Sequence, residues 1–221
     1  MADKMIQGEV IGTRSVSTTS GRPLQVRVIR PTSSPENIKA VAATIADWQD
    51  VARTYEHSGV AAKVPGHAHF AADTLFIAAK EMRTNPENVL IAMSDDVIEG
   101  ASVYHVKGSE GHISVFTTSP RNQPEVPGER IRGVGSALLD NTRDQMKVQG
   151  VQTITLRPLD LHADRFWRKK GFDSALPGQP LSAPVSVISC HEDDDGELEA
   201  YDPEEIAKVR MPAVGAKYGY P

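Results

Sequence analysis

A single cysteine in 221 residues, Cys190, excludes an internal disulfide and any multi-thiolate metal site. It reads as a strand residue with no assigned role. No apolar run approaches the ~20 residues needed to span a bilayer. The opening MADKMIQGEV lacks the positive-then-apolar pattern of a secretory signal. A cytoplasmic protein with no membrane partner is the resulting expectation. No Lys/Arg cluster is large enough to neutralise several phosphates of a duplex, which argues against nucleic acid. His67 and His69 stand two apart with no third ligand in view, so no metal is expected. No internal repeat stands out, and no composition shift marks a second domain.

The composition is that of an ordinary globular chain, 39% hydrophobic and 24% charged, long enough to bury one sizeable core. Its net charge of -5 is placed unevenly. From His191 to Pro221 there are nine acidic and three basic residues, which leaves 20 acids against 21 bases in the rest. This divides the chain into a polar lead-in (1–22), a domain (23–190) and an acidic extension (191–221). An acidic run of this kind is usually a solvated surface or a disordered tail, and it would favour a cationic partner.

Periodicity sets the element order. Leu24, Val26 and Val28 alternate with Gln25 and Arg27 as a first strand. Ser34-Pro35 has cap-then-first-turn chemistry, and Ile38, Val41, Ile45, Trp48, Ala52 and Tyr55 recur at helical spacing. A Pro65-Gly66 break precedes a second helix over 71–82, closed by Asn85-Pro86. Strands at 89–93, 98–106 and 112–118 follow as an antiparallel meander. A helix runs from Gly133 to a stop at Gly150, followed by a strand around Ile154 and Leu156. A basic helix spans 163–170 and a last strand 185–189, with room for a short strand at Phe172. The expected fold is α/β, a mixed sheet flanked by helices in the order βααβββαβαβ. The lead-in, the Pro/Gly loop at 176–184 and the acidic tail are expected to be the least ordered parts.

Three linked motifs stand in the second half. Ile113-Ser114-Val115-Phe116-Thr117-Thr118-Ser119-Pro120 is an apolar strand running to a proline. Arg130-x-x-Gly133-x-Gly135 leads into Ser136-Ala137-Leu138-Leu139, and Ala163-Asp164-Arg165-Phe166-Trp167-Arg168-Lys169-Lys170-Gly171-Phe172 closes the series. In this order, with a strand between the last two, the chain resembles the GNAT superfamily of N-acetyltransferases over residues 111–173. A lone Gly-x-Gly would not carry that resemblance.

The resemblance implies an acyl-CoA-dependent N-acyltransferase, acetyl-CoA being the family's usual donor. Residues Arg130, Ile131, Arg132, Gly133, Val134, Gly135 and Ser136 would receive the pyrophosphate at a helix N-terminus. Pantetheine would run along Phe116, Thr117 and Thr118, beside a bulge that opens the slot. Asp160 would lie near it, and Phe166 and Trp167 would pack at its far end. The acceptor would be a primary amine, on a small molecule or on a peptide or protein, attacking directly in a ternary complex. Homodimers are common in the family, and no residue here specifies one.

Two departures from the family pattern matter. Trp167 stands where many members place a tyrosine that protonates the leaving thiolate, and an indole N–H cannot do so. Nine residues, Arg121 to Glu129, separate Pro120 from Arg130, where the shortest members have two or three. By location alone, His112, Ser114, Tyr104, His105 and Glu99 are candidates for the base, and no catalytic residue is assigned. His162 and Asp160 also read as helix-capping residues. A coenzyme-holding sensor or scaffold that transfers nothing is the alternative reading.

Overall fold

The structure is a computed structural model that describes residues 6–56, 63–122, 126, 128–158, 161–174 and 179–188. Asp160, Cys190 and the acidic extension lie outside them. Seven strands, β1 (Gly8–Ser17), β2 (Pro23–Pro31), β3 (Val89–Ser94), β4 (Val97–Lys107), β5 (Glu110–Thr118), β6 (Thr153–Leu156) and β7 (Leu181–Pro184), form one sheet in sequence order. Every neighbouring pair is antiparallel except β5–β6, which is parallel. The parallel step needs a crossover, and α3 (Val134–Val148) supplies it. Helices α1 (Pro35–Glu56) and α2 (Lys63–Thr84) cover one face. Helix α3 and α4 (Leu161–Lys169) cover the other, so the sheet separates two cores.

The mixed α/β fold is the one anticipated, with an additional strand at its start. Residues 8–17, expected to belong to a polar lead-in, pair with β2 along their whole length. None of them is buried, because β1 is an edge strand, and its residues therefore show no apolar alternation to read. The last strand also moves. It is Leu181–Pro184, inside the expected Pro/Gly loop, whereas Val185–Val187 forms a turn. Leu181 and Ala183 face inward, and Pro184 is tolerated at the end of an edge strand. Near Phe172 there is only an isolated bridge, Asp173 to Ser182.

Helix α2 starts at Lys63 and not at residue 71. Pro65 falls in its first turn, where no intrahelical N–H is needed, so Pro65-Gly66 does not break the helix. Helix α1 begins as its sequence dictates: Ser34 Oγ accepts the Asn37 N–H at 3.2 Å and Pro35 opens the first turn. Gly133, with φ 79°, sits before α3 in a conformation that favours glycine, and Gly150, at φ 83°, lies just past its end.

Candidate active site

Strand β5 carries the site because it changes partners along its length. It pairs with β6 only from Glu110 to Ile113. Beyond that point β6 ends and its chain leaves through Arg157-Pro158. The edge of β5 from Ser114 to Thr118 thus has no strand beside it among the described residues. On its other side β5 stays paired with β4, but Val103 opposes Val115 while Tyr104 opposes Ile113, which makes Ser114 the extra residue of a bulge. The bulge reverses the faces. Ile113 packs in the core under α3, whereas Val115, two residues on, packs under α1 and α2. Phe116 and Thr118 consequently point to the α3 side.

The N-terminus of α3 closes one end of this slot. A Cβ placed on Gly135 would stand 3.8 Å from Thr118 Cγ2 and 3.7 Å from Phe166 Cζ, so the first turn of α3, the end of β5 and α4 meet there. The N–H groups of Val134, Gly135 and Ser136 belong to that first turn and have no acceptor among the described residues. They carry the positive end of the helix dipole. Arg132 is exposed beside them, and Arg130 is half-buried. The Ile131 and Arg132 amides, by contrast, are already engaged. Ile131 donates to Asn122 Oδ1 at 2.8 Å and Arg132 to the Ser17 carbonyl at 2.9 Å.

Those two bonds belong to a strap. The Thr19 N–H donates to the Arg130 carbonyl at 2.9 Å, Thr18 bridges Ile131, and the Glu129 carboxylate accepts from the Thr18 and Ser20 hydroxyls and from Arg22. The Ser20 and Thr18 hydroxyls, followed by Arg22, hold the Glu129 carboxyl down at about 2. At the other end of the long loop, Arg121 pairs with Asp47 of α1 at 2.7 Å. Arg121, Asn122 and Glu129 are therefore each tied to a neighbouring element, and the segment preceding Gly133 is held by the β1–β2 hairpin.

The floor of the slot is aromatic. Trp167 packs edge-on against Phe116 at 4.9 Å, Phe166 at 5.0 Å and Phe172 at 5.3 Å between ring centroids. It is almost fully buried, which makes it a wedge between α4 and the sheet. Lys170 lies over the Phe166 ring, 5.8 Å from its centroid.

The candidate bases fall in different places. Tyr104 is fully buried, with its hydroxyl donating to the Glu87 carbonyl at 3.2 Å and accepting from Gln149, a core arrangement. His112 lies on the paired stretch of β5, its Nδ1 3.0 Å from Thr155 Oγ1, and burial with the nearby His105 and Arg157 charges holds its pKa below the usual value. Ser114, at the bulge, donates to the Val103 carbonyl. His105 is exposed on β4. Glu99 differs from all of these. It is itself the extra residue of a second bulge, since Ala92 opposes Gly100 and Met93 opposes Ile98. Its carboxyl is buried and accepts from Asn122 Nδ2 at 2.9 Å. Burial pushes it up to about 7, against the downward pull of Asn122 and Arg121 and with a further push from Asp47 and Asp95.

Sequence reasoning passed over Asn122, Glu129, Thr18 and Ser17. Nothing in an asparagine within a long polar loop signals that its side chain will bond two distant segments. Among the described residues no group of His, Cys, Asp and Glu could hold a metal, and no helix is long and apolar enough to cross a membrane.

No family model and no curated protein sequence matches the chain. Similar solved structures include the PaiA N-acetyltransferase of Thermoplasma acidophilum in complex with coenzyme A, at 13% identity over 71% of this chain and 96% of that one, with a TM-score of 0.44. Tetrahymena GCN5 gives 11% identity over 68% and 91%, with a TM-score of 0.42. The ribosomal-protein-S18-alanine N-acetyltransferase of Escherichia coli gives 19% over 44% and 68%, with a TM-score of 0.36. These likenesses are distant, and the functional reading rests on the slot itself. Strand β5 thus has a bulge at Ser114 and, among the described residues, an open edge that runs up to the N-terminus of α3.

Proposed function

We propose that the protein is a cytoplasmic N-acyltransferase of the GNAT type, moving an acyl group from acyl-CoA to a primary amine. The observation that carries this reading is the open edge of β5 ending at the unsatisfied amides of α3. An extended pantetheine can add to such an edge as another strand would, through backbone hydrogen bonds, while the pyrophosphate meets the helix N-terminus. A strand amide at the slot can polarise the thioester carbonyl. Amine and thioester held side by side need no covalent enzyme intermediate, since positioning supplies the larger part of the acceleration. The acyl group proposed is acetyl, the one the resemblance implies. Trp167, buried as a wedge, offers no proton to the departing sulfur. With an unperturbed thiol pKa of about 8.5, the thiolate can leave without an enzymic acid.

Gly135 gives a clean test. Its backbone has no positive φ, and an added Cβ would meet only ordinary contacts, so substitution there disturbs the slot and leaves the fold intact. Acetyl-CoA is expected to raise the thermal midpoint of the native protein and to release free thiol when primary amines are added. Gly135→Glu should abolish both while keeping the unliganded midpoint. Stabilisation by CoA without thiol release, across small amines and lysine peptides, would instead identify a coenzyme-holding module. Preference for a long acyl chain would overturn acetyl as the donor group.

A further inference from the structure

Lys170 is the only buried basic residue among the described residues, 6% exposed, and its ammonium has no hydrogen bond and no ion pair there. Lysine is almost never buried so completely unless it is paired. Its Nζ is not sealed from solvent, so the apolar stem is packed while the head stays open to a ligand. The acids of α3 and α4 are already taken: Asp140 pairs with Arg14, Asp144 with Arg143 and Asp164 with Arg168, and none of them pairs with Lys170. A lysine just past the end of α4 could answer the helix carbonyls there. The Lys170 head turns the other way, running back one helical turn to lie over the Phe166 ring, 5.8 Å from its centroid. That ring is the link to the slot. Phe166 Cζ comes within 3.7 Å of a Cβ placed on Gly135, in the first turn of α3, where the Val134, Gly135 and Ser136 amides have no acceptor among the described residues. An unpaired cation on α4 and unpaired donors on α3 thus flank one aromatic ring.

Both features call for negative charge, and they stand on different elements with Phe166 between them. That arrangement suits a ligand with two separate phosphate groups better than a ligand with one. Acyl-CoA is such a ligand, with a diphosphate in the arm that leads to the pantetheine and a single phosphate on the 3′-hydroxyl of its ribose. We infer that Lys170 binds this 3′-phosphate while the first turn of α3 takes the diphosphate, so that Lys170 selects coenzyme A over the same molecule lacking one phosphate. The inference rests on the acyltransferase reading and concerns a side chain to which the resemblance gives no role. An ammonium is a compact charge with three donors, matched to a terminal phosphate with three free oxygens. The bond between them is charge-assisted on both sides. Because the stem is packed before any ligand arrives, little side-chain freedom is lost when the head engages, and the contact counts for more than one from a surface lysine.

The test titrates the full-length protein calorimetrically with coenzyme A and with 3′-dephospho-CoA, at one fixed salt concentration. The native protein should bind coenzyme A about 10-fold or more tighter than 3′-dephospho-CoA. Lys170→Met keeps an apolar stem of similar length and removes the charge. It should abolish the preference by weakening coenzyme A alone, its affinity for 3′-dephospho-CoA staying within about threefold of native. A side chain that matters only for packing would move both ligands together. Equal losses for the two, or no loss for either, overturn the inference and spare the acyltransferase reading. So does a native protein that binds the two equally well. If Lys170→Met does not fold, reductive methylation of the native protein decides: coenzyme A should shield the Lys170 amine and 3′-dephospho-CoA should not, and equal labelling in the presence of either overturns the inference. Native protein that binds neither ligand removes both readings.

Discussion

At the scale of single residues, burial and close approach decide what can be changed. Below about pH 4.5 Glu99 is protonated in the folded and unfolded chain alike. As pH rises toward about 7 the unfolded chain releases its proton first, so stability falls across that window and levels off above it. Glu99→Gln should flatten this slope and be the more stable form at pH 8, by at most on the order of 3 kcal/mol. Urea unfolding at pH 5 and pH 8 measures it, and an unchanged slope would contradict the raised carboxyl. Gly100 is constrained differently: a Cβ there would lie 2.7 Å from the Thr117 carbonyl oxygen, a backbone atom that cannot swing aside. Gly100→Ala should cost about 1–3 kcal/mol, seen as a lower thermal midpoint. Trp167→Ala, which empties the aromatic floor, should cost about 3–5 kcal/mol.

Among the elements, the strap explains what the long loop does. Glu129 and Asn122 fix the segment before Gly133, so the turn that opens α3 is held in place by contacts within the protein. Glu129→Ala should speed hydrogen exchange at the amides of Thr19 and Arg132, leave those of β3 and β4 unaffected, and weaken acetyl-CoA binding. Equal exchange in both proteins would show that the strap does not depend on Glu129. This is also where the sequence stopped being readable. Strands β3 to β5 and helices α1 and α3 announce themselves because each buries a regular stripe of apolar side chains. Strands β1 and β7 do not, since edge strands are stabilised by a neighbour's backbone, and Ser, Thr, Gly and Pro serve there as well as Val. The turn that opens α3 was legible through Gly133 and Gly135, whose small size is itself the signal. Asn122 and Glu129 were not, because polar side chains acquire meaning only from partners more than a hundred residues away, as in Glu129 with Thr18, or across a loop, as in Asn122 with Glu99.

For the whole molecule, the sheet is a partition with a core on either side, and the two cores meet different demands. The α3 side holds the aromatic floor and the helix terminus suited to the coenzyme. The α1/α2 side holds Glu99 and Asp47. Strand β1 serves the first side through Arg14, which pairs with Asp140 of α3 at 2.8 Å, and through the Ser17 carbonyl. Removing residues 1–17 should therefore lower acetyl-CoA affinity as well as the thermal midpoint. Calorimetric titration below the melting temperature separates the two effects, and an unchanged affinity would limit β1 to a structural role.

The bulge at Ser114 gives β5 its change of parity. Deleting that one residue would make Ile113 and Val115 neighbours on opposite faces, as their partners Tyr104 and Val103 already are, so each core would keep its side chains and only the bend beside the open edge would be lost. A one-residue deletion elsewhere in β5, with the bulge kept, would instead exchange the side chains that the two cores receive, so the strand should tolerate a change of length at Ser114 far better than at its neighbours.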